Sequence, residues 1–584
     1  MEKKSLLGKT WKQKEFSNRQ CDMIAQRFNL SPIISQILTS REIPIEDIEN
    51  YLNPKVRNLL PNPFDFKDME KAIKRVIQAI KNKETIAIFG DYDVDGATSS
   101  AILYDFLRYL DIPLLIHIPD REEDGYGPNK RVFQKFKDQG ATLCITVDCG
   151  VTAFEAIEYA NETGLETVVI DHHEAEHKLP PAHAIVNPKR LDDPNPHKYF
   201  AAVGVVFLFL VGLNSKLKEE IFYTKNNIEA PDLLKYLDLV ALGTVCDVVP
   251  LIHANRAFVK TGLLQIQSRK NLGLKTLCDI SGIKECVDSF HLGFILGPRI
   301  NAGGRIGESE TGTRLLLTND EVEAQILANK LNDLNLKRKN LEAIILDDVN
   351  ELLEEQDIAN FIFLAQPHWH TGIKGNIASR LKEKYNRPTF IGTVEEDGTI
   401  NGSCRSVEQI DMGQIILKAK EQGILLEGGG HKMAAGFSLK TEKVEEFKRL
   451  LNEEIEKQLN GQEFKNIVEI DAIIDAGALT LDLAKELNSL SPFGAQNEEP
   501  TFVLKDARLH HTQVFSNKHI KSTFKSSTNK SIDVLMFNYT KNDLSNALLQ
   551  NIGSSFELAG KIKINNWKNR QQIQFLLEDA VLKN

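Results

Sequence analysis

The sequence predicts an α/β protein: a parallel-sheet domain, one long connecting helix, a smaller α/β domain and a small C-terminal β-barrel. Three observations predict it. From Thr85, short apolar strands (Ile86–Phe89, Leu143–Val147, Thr167–Ile170) alternate with helices, the βαβ pattern of a parallel sheet. About Asp320 to Gln356 reads as one charged helical stretch whose apolar residues are Leu327, Leu331, Leu334, Leu341 and Ile345. From about Asn466 the runs become short and alternating, as in Thr501–Leu504, Ile532–Met536 and Phe556–Lys563.

Composition bounds this architecture. At 584 residues, 42% hydrophobic and 26% charged, the chain divides into three or four domains with sizeable cores. The longest apolar run, Ala201–Leu213, is shorter than the roughly 18 residues a membrane span needs and reads as a buried helix. No basic segment followed by an apolar one opens the chain. Seven cysteines, an odd number without a Cys-x-x-Cys pair, fit a reducing cytoplasm and a packing role. The net charge of -10 argues against non-specific coating of nucleic acid, so polyanion binding must be local.

Taken in order, residues 1–84 are helical and short-looped, with breaks at Leu30-Ser31-Pro32 and Leu60-Pro61-Asn62-Pro63 and an amphipathic helix over Met69–Ile80. They are expected to pack on the domain that begins at Thr85. There the strand Ile86–Phe89 runs into Gly90-Asp91-Tyr92-Asp93-Val94-Asp95-Gly96, with a helix start at Thr98. Like charges about 4 Å apart repel by about 4 kcal/mol at an effective dielectric of 20, and no cation lies within the turn. A calcium-binding EF-hand loop is excluded, because its closing Glu falls at Ile102 and a strand precedes the loop. A solvated turn with Asp caps is the plain alternative. Segments further along the chain favour a divalent cation. The next strands end in Asp148-Cys149-Gly150 and Asp171-His172-His173, and the apolar segment Leu237–Val245 runs into Asp247. Ligands of open α/β sheets bind beyond the carboxyl ends of the strands. Each of these residues alone could cap a turn or lie in a surface loop; four segments together suit Mg²⁺ or Mn²⁺ in an oxygen-rich site with imidazole, and two ions rather than one.

These segments resemble the four motifs of the DHH phosphoesterases, and the series is most similar to the single-strand-specific 5′→3′ exonucleases of that superfamily. The likeness continues through Gly297-Pro298-Arg299-Ile300-Asn301-Ala302-Gly303-Gly304-Arg305, Trp369-His370-Thr371-Gly372, Gly402-Ser403-Cys404-Arg405-Ser406 and Gly428-Gly429-Gly430-His431. It implies a DHH domain over 85–319, a connecting helix over 320–358, a DHHA1 domain over 359–458 and an OB-fold over 459–584. It also implies a ligand set. Asp148 bridges two ions, Asp93 binds one, and Asp95, His172 and Asp247 bind the other; Asp91 is a neighbour and His173 steadies the phosphate or the leaving oxygen. Arg121 implies a contact to the 5′-phosphate and Tyr126 stacking on the terminal base, though a tyrosine between glycines also serves as a lid over core. Arg299, Asn301 and Arg305 fall on the substrate side, the two arginines against the DNA backbone. Ser403 and Arg405 suit a terminal phosphate, and Gly429 and Gly430 belong to a Gly-rich turn whose backbone approaches it, with His431 beside the scissile phosphate. A plain tight turn is the alternative for those glycines taken alone. In the barrel, Arg508, Lys518, Lys521, Phe524, Lys525, Trp567, Lys568 and Arg570 interleave charge with aromatics, as single-strand binding needs.

The resemblance thus implies an Mn²⁺- or Mg²⁺-dependent single-stranded DNA exonuclease that releases 5′-mononucleotides in DNA repair and recombination, beside a single-strand-binding protein and a RecQ-type helicase. Phosphodiesterases of short oligonucleotides or cyclic dinucleotides, and a non-catalytic binding protein, are the alternatives. The barrel speaks against the first and the filled ligand positions against the second. Cys246, Cys404 and Lys374-Gly375-Asn376 depart from the family pattern and leave the fine shape of the DNA path open.

Overall fold

A computed structural model describes residues 5–120, 124–125, 127–284, 286–354, 358–516, 518–567 and 570–583. The chain forms two compact units. One comprises Met1–Gly304, Glu308–Asn332 and Ile467–Asn584, the other Arg305–Gly307 and Asp333–Asn466.

In the first unit five parallel strands lie in the order Leu114–His117, Thr85–Gly90, Ala141–Val147, Glu166–Ile170, Ala184–Val186. The three central ones are the predicted strands. The two edge strands are four and three residues long and too short to stand out by pattern. Apolar side chains of the sheet alternate between two layers. Ile86, Ile88, Val168 and Ile170 face the helices Met69–Asn82, Val94–Tyr109 and Ala202–Glu219. Ala87, Phe89, Cys144 and Val169 face Lys130–Asp138 and Phe154–Glu162. The predicted buried helix is Ala202–Glu219, hydrophobic on nearly all sides; each fully buried Val, Phe or Leu contributes about 1.5–3 kcal/mol. The segment before Asp247 is a helix, Leu237–Cys246, and Asp247 is its C-cap.

The N-terminal region divides, contrary to expectation. Residues Phe66 to Ile80 do join the parallel-sheet core. Ile24, Ile34, Ile37, Leu38, Ile48 and Tyr51 instead complete the core beneath the C-terminal barrel, because that barrel leaves Leu483, Leu487 and Leu490 to be covered. A strand, Thr10–Gln13, pairs in parallel with Ile467–Ile470. The barrel closes through Phe502–Phe515, His519–Lys525, Ser531–Met536, Arg570–Lys583 and Ser555–Trp567, which returns to pair with Phe502–Phe515. This is the five-stranded barrel expected of an OB-fold. Phe524 is fully buried in its core against Phe556, so it is a packing residue and not part of a binding surface. Lys521 pairs with Asp533, and Arg508 donates to the Gly553 carbonyl. Lys568 lies outside the described residues, as do the side chains of Trp567 and Arg570.

Buried Arg256 ties barrel and parallel-sheet domain together. Its guanidinium stacks on the Tyr51 ring at 3.9 Å and donates to the carbonyls of Tyr51, Leu490 and Ser491 at 2.8–3.2 Å.

The predicted long helix is Glu321–Glu354, whose residues up to Asn332 belong to the first unit and the rest to the second. The second unit is built on a five-stranded sheet in the order Glu427–His431, Ala434–Lys440, Thr399–Arg405, Thr389–Val394, Ile362–Gln366. The expected Gly-rich turn is not a turn. Gly428, Gly429 and Gly430 lie in the edge strand Glu427–His431, antiparallel to Ala434–Lys440. Gly430 has φ +153°, and a Cβ there would stand 2.4 Å from Ala435, so glycine is what lets the hairpin close.

Candidate metal centre and phosphate-binding cluster

The acidic turn is shaped by its own hydrogen bonds. Asp93 caps the Val94–Tyr109 helix, accepting from the Gly96 N–H at 3.0 Å, while Asp91 accepts from the Tyr92 N–H at 2.8 Å. Gly96 lets the turn fold onto itself, since a Cβ there would meet the Asp91 backbone at 2.4 Å. Asp95 points inward and caps a second helix: its two oxygens accept from the Ala202 and Val203 N–H groups at 2.6 and 2.9 Å. Asp148 leaves the Ala141–Val147 strand with φ +62°, the left-handed conformation that Asp tolerates better than most residues. Asp171 ends the next strand and accepts from the backbone N–H groups of His172, His173 and Val151 at 2.7–3.2 Å, and from His173 Nδ1 at 2.8 Å.

These segments bring the predicted ligands together. His172 Nε2 lies 3.3 Å from Asp148 Oδ1, 3.6 Å from Asp247 Oδ2 and 3.7 Å from Asp95 Oδ2. Ligand atoms of Asp91, Asp93 and Asp148 lie within 4.8 Å of one another, as do those of Asp95, His172 and Asp247, and those of Asp148, His172 and His173. Asp148 thus belongs to two of the groups.

The electrostatics call for cations. Burial, then the charge of Asp93, pushes Asp91 up to about 8 and Asp95 up to about 7. Burial and the neighbouring carboxylates hold Asp148 and Asp247 well above the ordinary carboxylate range. Burial, with His173 adding to it, lowers His172 to about 3, so its ring is neutral and its short approaches to carboxylates are not ion pairs. Burial would also lower His173, but its bond to Asp171 outweighs this and raises it to about 9. Asp148 Oδ1, Asp247 Oδ2 and His172 Nε2 are buried with no hydrogen-bond partner in the structure. Orphaned carboxylate oxygens converging on a neutral imidazole fit hard divalent cations.

The remaining site residues fall in three places. Arg121 and Tyr126 lie outside the described residues. In the first unit, Arg299 donates to Asn332 Oδ1 and the Ile295 carbonyl, and Asn301 Oδ1 accepts from the Val94 N–H at 3.1 Å, bracing the acidic turn. In the second unit, Arg305 donates to Asn376 Oδ1 at 3.0 Å. Strand register there aligns Ser403 with Gly436 and Gly429, and Arg405 with Ala434 and His431. Arg405 donates to Ser403 Oγ at 3.0 Å. Burial lowers Arg405, as expected of a guanidinium short of counter-charge. His370 Nδ1 accepts from the Gly372 N–H and caps a short helical turn. Sequence reasoning missed the roles of Asp171, Asn301 and Asn376 as supports; Asp171 alone carried a signal, since it stands at a strand end beside the two histidines.

Comparison with known proteins agrees with this geometry. Residues 85–244 match the DHH family N-terminal domain, 358–457 the DHHA1 domain and 470–579 the RecJ OB domain. The chain is 34% identical to the single-stranded-DNA-specific exonuclease RecJ of Bacillus subtilis over 96% of its own length and 69% of that protein. It is 32% identical to the Salmonella typhimurium RecJ exonuclease over 97% of its own length and 99% of the other. Crystal structures of Thermus thermophilus RecJ in complex with Mn²⁺ and with Mg²⁺ superpose with TM-scores of 0.80 and 0.76, each at 28% identity and covering 98% of this chain, and 79% and 78% of theirs.

Proposed function

Because the chain belongs to the RecJ family of single-stranded-DNA-specific exonucleases, we propose that it hydrolyses single-stranded DNA from the 5′ end, releasing 5′-mononucleotides in DNA repair and recombination. The observation that carries this reading is the convergence of orphaned oxygens of Asp148 and Asp247 on neutral His172.

Asp91, Asp93 and Asp148 would hold one Mn²⁺ or Mg²⁺ ion, and Asp95, Asp247 and His172 the other; Asp148, whose Oδ1 lies 3.3 Å from His172 Nε2, would stand next to both. When bound, the ions would supply Lewis acidity, neutralising phosphate charge and lowering the pKa of bound water below its bulk value. His173, its Nδ1 fixed by Asp171, steadies the phosphate or the leaving oxygen with its imidazolium. Asp95 keeps its orientation because the Ala202 helix N-terminus grips both oxygens, and its charge is favourable at that positive end. By likeness to the family, Ser403 and Arg405 bind the 5′-terminal phosphate, Arg121 has the same role, Tyr126 stacks on the terminal base and His431 contacts the scissile phosphate, while Arg299 and Arg305 neutralise the DNA backbone and Asn301 supports the turn. The proposal places this work in the cytoplasm, beside single-strand-binding protein and a RecQ-type helicase.

The test is digestion of a long single strand labelled separately at its 5′ and 3′ ends, with Mn²⁺ or Mg²⁺ and with chelator, beside a duplex and a short oligonucleotide. Immediate release of 5′ label as mononucleotide from the single strand, abolished by chelator, is the expected result. Cleavage confined to the short oligonucleotide, or full activity in an Asp148→Ala protein, overturns it.

A further inference from the structure

A groove of about 750 Å³ opens beside Asp247, between the parallel-sheet domain and the barrel. One wall begins at the metal centre: Val245, Cys246 and Val248 flank Asp247 and line it. The other is the Ser555–Trp567 strand of the barrel, through Lys561 and Ile562. Along the rim stand Phe290 and Phe294, 56% and 71% exposed, with rings stacked 5.1 Å apart at 24°.

Two such rings in water cost apolar surface that no packing recovers, and large exposed apolar patches mark interaction sites. The backbone that carries them is also unusual. His291–Leu296 is a π-helix, a form frequent at functional sites, and it is stitched to the metal-binding segment: the Cys246 thiol donates to the Leu292 carbonyl at 3.4 Å. The pair is therefore held in register with the residue that precedes Asp247.

We infer that Phe290 and Phe294 form a stacking platform for nucleobases on the 3′ side of the scissile bond, on the path from the metal centre to the barrel; this rests on the exonuclease reading. Charge selects this occupant over an acidic peptide or the phosphate backbone. Lys563 is paired with Glu499 at 2.7 Å and Lys561 with Glu578 at 3.4 Å, and Glu498 and Asp288 also line the groove, so its charge is balanced while its exposed surface is apolar and aromatic. Bases present uncharged π-faces that such a surface accepts whatever their sequence.

The test is a Phe290→Ala, Phe294→Ala double variant beside a Phe290→Tyr, Phe294→Tyr variant that keeps both rings. Binding of a long single strand protected by phosphorothioate linkages is measured across a salt series, and Mn²⁺-dependent cleavage is measured on long DNA and on a trinucleotide. The alanine variant loses affinity for the long strand by roughly five- to a hundredfold per ring, the range for base-stacking aromatics. The slope of log affinity against log salt stays unchanged because no phosphate contact is lost, KM for long DNA rises, trinucleotide cleavage is unaffected, and the tyrosine variant behaves as wild type. Unchanged long-strand affinity, or equal losses on long DNA and trinucleotide, overturns the platform. So does a loss of protein–protein association in place of DNA affinity, which assigns the patch to a partner. Because binding is read without turnover, absence of nuclease activity in the wild type refutes the exonuclease reading separately.

Discussion

Asp171 Oδ1 accepts a hydrogen bond from His173 Nδ1 at 2.8 Å, and both residues stand at the end of the strand that delivers His172. The bond selects the tautomer and orientation of the His173 ring, so any contact with a phosphate is made through Nε2. Asp171→Asn is expected to lower kcat by about ten- to a hundredfold, the usual effect of removing a support of this kind, with metal content at saturation unchanged. Because Asp171 raises His173 from 6.5 to about 9, their interaction stabilises the fold fully below about 6.5 and is lost as pH rises through about 9. The stability difference between wild type and variant in chelator therefore shrinks over that interval, which thermal unfolding at several pH values measures.

Asp148 sits among carboxylates that repel it, in a left-handed conformation that Asn also accepts. Asp148→Asn removes a buried charge without backbone strain. The metal-free variant is expected to unfold at a temperature a few degrees above the metal-free wild type, which calorimetry with chelator measures. Mn²⁺ should then add less stability to it than to wild type. Its nuclease activity falls by about a thousandfold or more, since several kcal/mol of charge stabilisation depend on the site.

Metal uptake is coupled to proton release. With Asp91 raised to about 8 and Asp95 to about 7 in the metal-free protein, both are substantially protonated at pH 6 and must ionise to bind. Apparent Mn²⁺ affinity therefore climbs from pH 6 to pH 8. Titration calorimetry in buffers of different ionisation enthalpy measures the protons released; an uptake heat independent of buffer contradicts the coupling.

Asp238, buried near the start of the Leu237–Cys246 helix, is raised from 3.8 to about 7 by burial. Its native state favours the protonated form, so stability falls as pH rises from about 4 to about 7 and then levels. Asp238→Asn should remove this dependence, stabilising the protein at pH 8 by up to about 4 kcal/mol and little at pH 4. Denaturant unfolding at the two pH values measures the difference.

The convergence of Asp91, Asp93, Asp95, Asp148, His172 and Asp247 could be read in advance because strand ends, acidic turns and histidines are local signals, and three strands carried them. Supports were less legible. Asn301 reaches Val94 across more than two hundred positions of sequence, and nothing in its neighbourhood marks that partner. Gly428–Gly430 had the composition of a turn, yet pairing with Ala434–Lys440 decided its conformation. The placement of Ile24–Tyr51 on the barrel was hidden for the same reason: their amphipathic pattern states that they are covered, not by what. Phe524 and the exposed barrel residues share one alternating pattern, and only barrel closure separates inside from outside.

The pairing of Thr10–Gln13 with Ile467–Ile470 has a consequence for synthesis on the ribosome. The first strand and the helices that complete the barrel core leave the exit tunnel long before their partners exist. At about 5–20 residues per second, roughly half a minute to a minute and a half separates the two. During that interval Ile34, Ile37 and Leu38 have no barrel to cover. The second unit, continuous from Asp333 to Asn466 apart from three residues, can complete its sheet in the meantime. A nascent chain arrested before Ile467 would thus carry a sticky N-terminus, a natural substrate for a holding chaperone.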